Sequence, residues 1–270
     1  MIKKLLKSRI LYIIIIILIV LMVRHKINLE NSYFIPYNKS KTVTKNDTAD
    51  EIFSKTGISY SAAKEMIDSG DFDTVKKINS LYLSNNDVIR NYVFFPFTVE
   101  EKMSKSVPMA PVKKGDILVT FSTHTVDWRH GHMALVTNSD EGIVLEHLSV
   151  GHRSTFSSIK NWSKYRNFAI LRYPDEEKAK EAADYAQKNL INIPYSMFAG
   201  IIKKDKSNEE NINLSHCSHI VWQAYKAVGV ELDSNKGPLV IPKDIAMSEK
   251  LKVVQIFGLD PKYYKDRILE

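Results

Sequence analysis

The longest apolar run in the chain, Ile10 to Val23, is uncharged, whereas every later apolar cluster is short and patterned. Residues 25 to about 46 are polar and lack a period. Helical spacing starts after them. Thr48 or Asp50 caps a first short helix. "SYSAAKEMI" makes a second, with Ala62, Ala63, Met66 and Ile67 on one face, and Asp73 or Thr74 starts a third carrying Val75, Ile78 and Leu81. "FFPFTVEEKMSKSVPMAPVKKG" then reads as a proline-punctuated connection. Four short apolar runs follow, "DILVTF", "HMALVT", "GIVLEHL" and "FAILRY", each of strand length. Pro174 opens "PDEEKAKEAADYAQKNLI", a helix with acidic residues in its first turn and Ala179, Ala182, Ala183, Ala186 and Leu190 on its core face. A polar loop leads to another helix near Cys217, with Ser215 as its N-cap and Ile220, Val221, Ala224, Ala227 and Val228 on its apolar face. "IPKDIAMSEKLKVVQIFGL" adds one short helix and one strand.

The N-terminal run, as a helix, is about 21 Å long at 1.5 Å per residue, and Leu5 and Leu6 extend it. No small-residue cleavage pattern follows it, which predicts an uncleaved membrane anchor over residues 1–26 and a tether over 27–46. Lys3, Lys4, Lys7 and Arg9 predict a cytoplasmic N-terminus, a single pass, and an extracytoplasmic remainder. The 270 residues hold one good-sized domain with a small satellite. The net charge of +7 comes from scattered lysines, which describes a solvated surface and gives no case for nucleic acid as a partner. A single cysteine excludes an internal disulfide and makes the lone thiol worth explaining.

Cys217 falls in the first turn of its helix, where unpaired N–H groups and the helix dipole stabilise a thiolate. A nucleophilic thiol needs a base. His132 opens the strand "HMALVT" and shares a face with Ala134 and Val136. In the next strand Val144, Glu146 and Leu148 share a face, so Glu146 is a candidate to hold the second ring nitrogen of His132. Taken singly, a buried core cysteine, a half-buried histidine and an exposed strand carboxylate account for these residues equally well.

Together, "KKGDILVTF", "RHGHMALVTNSDEGIVLEHL", "FSSIKNWSKYRNFAILRYP", "NIPYS", "NLSHCSHIVWQAYKAVGVEL" and "IPKDIAMSEKL" resemble the circularly permuted papain-like hydrolases of the YiiX/YebB type within the NlpC/p60 superfamily. The resemblance covers about residues 110 to 255. It implies an α+β fold, with a central antiparallel sheet packed on helices in a domain over 109–260. A membrane helix and a helical unit with its connection (47–108) precede that domain, and a tail (261–270) follows it. It also implies Cys217 as nucleophile, His132 as base, Glu146 as third residue and Tyr195 as a substrate-binding residue. The implied reaction is cysteine-dependent cleavage of an amide, in cell-wall peptides given an extracytoplasmic location, without a cofactor. A lipid or other acyl amide as substrate, with hydrolysis or acyl transfer, stays open. So does His147 in the third role, as in permuted acyltransferases, although strand alternation turns it away from Glu146. Two readings of other classes stand beside this one. One is a zinc site built from His130, His132, His147, His216, Cys217 and His219, which match no standard zinc spacing. The other is a non-catalytic binding or scaffold protein.

Overall fold

The structure is a computed structural model and describes residues 2–31, 41–83, 88–94, 98–126, 128–199 and 213–269. Residues 32–40 of the expected tether and residues 200–212 of the polar loop before Cys217 lie outside the described residues. The fold is α+β, with antiparallel sheets and packed helices.

The first helix, α1 (Ile2–Asn31), runs past the expected end of the anchor at residue 26. Its window Leu11–Asn28 is long and apolar enough to cross a membrane, and none of it is buried within the protein. Three short helices follow: α2 (Ala49–Thr56), α3 (Tyr60–Asp68) and α4 (Phe72–Leu83). Thr48, rather than Asp50, caps α2. The N–H of Thr48 donates to Glu51 Oε2 at 2.8 Å, and that of Glu51 donates to Thr48 Oγ1 at 3.3 Å, a reciprocal pair that satisfies two otherwise orphaned donors. The third helix begins ahead of both starts expected for it.

Residues 88–103 depart from the helical unit and connection expected there. They form β1 (Val88–Phe94) and β2 (Thr98–Met103), and β2 also pairs with β4 (Thr123–Thr125). Val88, Ile89, Tyr92, Val93 and Phe94 are β-branched or aromatic, and this preference for a pleated surface prevails.

The main sheet contains β3 (Ile117–Thr120), β5 (His132–Asn138), β6 (Ile143–Glu146), β7 (Thr155–Ser158), β8 (Phe168–Arg172) and β9 (Lys252–Phe257), in the order β7-β6-β5-β3-β8-β9. Every neighbouring pair is antiparallel. The helices α5 (Ile159–Trp162), α6 (Glu176–Asn189), α7 (Cys217–Ala227) and α8 (Pro242–Ala246) complete the set used here. Both faces of the sheet are covered. Ile117, Val119, Met133, Leu135 and Leu145 pack with Ala182 and Ala186 of α6 and with Ile220, Val221 and Ala224 of α7. The alternate residues Leu118, Ala134, Val136, Val144 and Ile170 pack with Ile52, Ala63, Met66, Val75 and Ile78 of the helical unit. The helical unit, expected as a spacer or lid, therefore contributes to the core on this side of the sheet, together with Val107, Ala110 and Trp162. Two covered faces explain why these strands read as nearly continuous apolar runs although the sheet is antiparallel.

One buried ion pair and one glycine turn hold the sheet in register. Arg172 on β8 donates through Nε and Nη2 to the two oxygens of Asp116 at 2.8 and 2.7 Å, a buried bidentate pair at the start of β3. Gly142 turns β5 into β6 with φ of 65°, a left-handed conformation that suits glycine. A bulge between Val136 and Asn138 takes up the extra residue, and beyond it the pairing sets Ala134 opposite Glu146.

Candidate active site

The site is assembled where β5 begins and α7 begins. Gly131, directly before His132, has φ of 80°, and a Cβ there would lie 2.7 Å from the Thr120 carbonyl oxygen of β3. Only glycine allows the chain to enter β5 this close to its neighbour. His132 is consequently the first residue of the strand, 6% exposed, and shares a face with Ala134.

Because Ala134 pairs with Glu146, the carboxylate stands diagonally from His132 on the same face. The His132 Nε2–H donates to Glu146 Oε2 at 2.8 Å. Ser157 on the edge strand β7 donates its hydroxyl to the other carboxylate oxygen, Oε1. The His132 ring stacks on Trp162, with centroids 5.3 Å apart and planes 17° apart. The imidazole is thus held at one edge by a carboxylate and along one face by a buried indole. Its other ring nitrogen, Nδ1, is not the one that Glu146 holds, and Cys217 lies close enough for its charge to act on the ring.

Cys217 is the first residue of α7. His216, and not Ser215, is the N-cap: its ring Nδ1 accepts from the N–H of His219 at 3.4 Å. The Ser215 hydroxyl is engaged elsewhere, with His219 Nδ1 at 3.1 Å and Gln223 Oε1 at 3.2 Å. As first helical residue, Cys217 has a backbone N–H without an intrahelical acceptor.

Burial alone would push the Cys217 thiol up. Hydrogen bonds from His132 and His216 and the positive charge of His132 outweigh it and hold the thiol well below its ordinary range. Burial likewise pushes the His132 imidazole down, but the Cys217 and Glu146 anions reverse this and raise it to about 10. Glu146, despite burial, is held below the usual carboxylate range by His132 and by Ser157. All three shifts favour a thiolate, an imidazolium and a carboxylate in a row.

The structure brings Cys217, His132 and Glu146 together and places Tyr195 beside them. Tyr195 bridges to Ser215, and its ring lies edge-on to His147 with centroids 4.9 Å apart. Burial, and then the Cys217 charge, raise its hydroxyl above the ordinary range. His147 faces away from Glu146 and is not the residue that orients His132. His130 lies outside the strand, with its ring between Thr125 Oγ1 and the Gly131 carbonyl at 3.0 Å each. Among the described residues no group of three or more His, Cys, Asp or Glu is placed to hold a metal ion. Ser157 and Trp162 join the site without having been singled out in the sequence, and His216, singled out only as a candidate zinc ligand, joins it as the cap of α7. Trp162 had a signal, as a lone large aromatic in the polar stretch "SSIKNWSK". Ser157 had none.

Comparison with protein-family models, with curated proteins and with solved structures finds no match.

Proposed function

We propose that the chain is a membrane-anchored cysteine hydrolase of the permuted papain-like type, acting on an amide bond. The observation that carries the reading is His132, held by Glu146 through Nε2 and close enough to Cys217, at the start of α7, for each to act on the other's charge. The Cys217 thiolate attacks the carbonyl carbon, and the helix-start N–H of Cys217 steadies the resulting oxyanion. The C–N bond breaks, and His132 gives its proton to the departing amine. Water then yields a proton to His132 and attacks the thioester, which releases the acid and the thiolate. The order of histidine strand before cysteine helix supports the permuted type.

Cell-wall peptides are the substrate that the resemblance and an extracytoplasmic location favour. A second reading, an acyl amide, is favoured by exposed apolar residues on the segments around Tyr195: Leu148, Val150, Met197, Phe198 and Leu214. The full chain in detergent should be incubated with cell-wall peptide fragments and, separately, with N-acyl amino acids. Product release from the peptides, with an acyl adduct on the Cys217 peptide that is absent in Cys217→Ala, is the expected result. Release from the acyl amides alone would select the second reading, and no adduct with either set would refute the hydrolase.

For the anchor, α1 should keep the intact chain in the membrane fraction through carbonate washing. A protease added outside the cell should digest the body of the protein. Recovery of a soluble form starting near residue 30, or protection from that protease, would contradict the assigned topology.

A further inference from the structure

His147 is fully buried, yet the proton chemistry above does not use it. It follows Glu146 by one residue and so points to the other side of β6, the side on which Leu145 packs with α7. Its Nε2 lies 3.4 Å from the His152 carbonyl oxygen. A carbonyl can only accept, so Nε2 carries the ring proton and Nδ1 presents a bare lone pair. That Nδ1 is buried and has no hydrogen-bond partner among the described residues. An unsatisfied buried acceptor is costly, and folds seldom keep one without a use. The ring stands edge-on to Tyr195, and both residues feel the charge of Cys217. Burial pushes His147 down to about 4, which keeps the lone pair available at neutral pH.

We infer that His147 Nδ1 is a substrate-binding acceptor, which takes a hydrogen bond from an N–H or O–H located next to the carbonyl that Cys217 attacks. The inference rests on the thiol reading of the site. It divides two neighbouring residues between two tasks: Glu146 orients the base, and His147 selects carbonyl compounds that bring a donor. Compounds lacking that donor would leave Nδ1 unpaired, and discrimination arises from that penalty.

The test uses three alkylating probes with the same carbon–iodine bond: 2-iodoacetamide, its N-methyl derivative and its N,N-dimethyl derivative. They carry two, one and no N–H groups. Rate constants for Cys217 in the full chain are each divided by the constant for glutathione, which removes intrinsic reactivity. Native protein should favour 2-iodoacetamide over the dimethyl probe by about tenfold, as one hydrogen bond with its desolvation penalty supplies. The N-methyl probe should stay near 2-iodoacetamide. In His147→Phe the normalised constants should converge, and in His147→Gln, which restores a carbonyl acceptor, part of the preference should return. Equal constants in the native protein would overturn the inference, and so would a preference that survives His147→Phe. The native comparison stands even where a variant fails to fold. If Cys217 reacts with no probe until the protein is unfolded, the thiol reading itself fails, an outcome distinct from fast but indiscriminate alkylation.

Discussion

His132→Ala is expected to reduce Cys217 alkylation at pH 6 by at least about tenfold. An ordinary thiol is only roughly 0.3% ionised at that pH. In the native site hydrogen bonds from His132 and His216 and the positive charge of His132 hold the thiol well below its ordinary range, which raises the thiolate fraction. Loss of the imidazolium therefore lowers the thiolate fraction. A low-pKa thiolate is also the weaker nucleophile, which offsets part of the loss. The signs predict different profiles for two measurements. Lowering the pH protonates Cys217, so alkylation and turnover both decline on the acid side. Raising the pH removes the His132 proton near 10, so turnover should fall there while alkylation continues. In the variant the acid limb should move up to or beyond the ordinary thiol range, because burial is no longer opposed by an imidazolium beside the sulfur. A native alkylation rate that climbs through pH 8 to 9 like a free thiol would rule out the ion pair.

The second large effect concerns charge with geometry preserved. Glu146→Gln keeps an amide oxygen to accept from His132 Nε2 and an amide nitrogen to donate to the Ser157 hydroxyl. The hydrogen bonds can be remade, but the negative charge that stabilises the imidazolium is gone. Turnover should fall by up to about 10⁴-fold, the scale of carboxylate loss in a serine triad, with the unfolding transition little changed. The alkaline limb should move down, because His132 loses one of the two anions that raise it. Ser157→Ala removes a single hydrogen bond to Oε1 and should cost far less. A Glu146→Gln protein that turns over like Ser157→Ala would withdraw Glu146 from its role.

The parts of this site that could be read in advance are those governed by local rules. Alternation along β5 and β6 puts His132 and Glu146 on one face, and the pairing of Ala134 with Glu146 puts them in reach. The start of α7 was legible to within one residue, as was the burial of its Ile220 and Val221 face. What was not legible depends on contacts distant in the chain. Ser215 is the better cap by composition, but bonds to the side chains of His219 and Gln223 occupy its hydroxyl. Ser157 belongs to a short edge strand rich in Ser and Thr, which has no apolar pattern to reveal it. Trp162 reaches His132 only because the turn α5 carries it back across the sheet. The hairpin of β1 and β2 was hidden because its β-branched residues follow directly on a helical period.

The helical layer behind the sheet has a bearing on how the chain could be divided. Shorn of α2 to α4, the cluster that holds Leu118, Ala134, Val136, Val144 and Ile170 would lose Ile52, Ala63, Met66, Val75 and Ile78 and expose apolar surface prone to self-association. The layer is also fastened at its leading edge, where the N–H of the buried Val43 donates to Asn79 Oδ1 of α4 at 3.1 Å. A piece able to fold on its own is therefore expected to begin near Val43, some ninety residues ahead of His132, the first residue of β5.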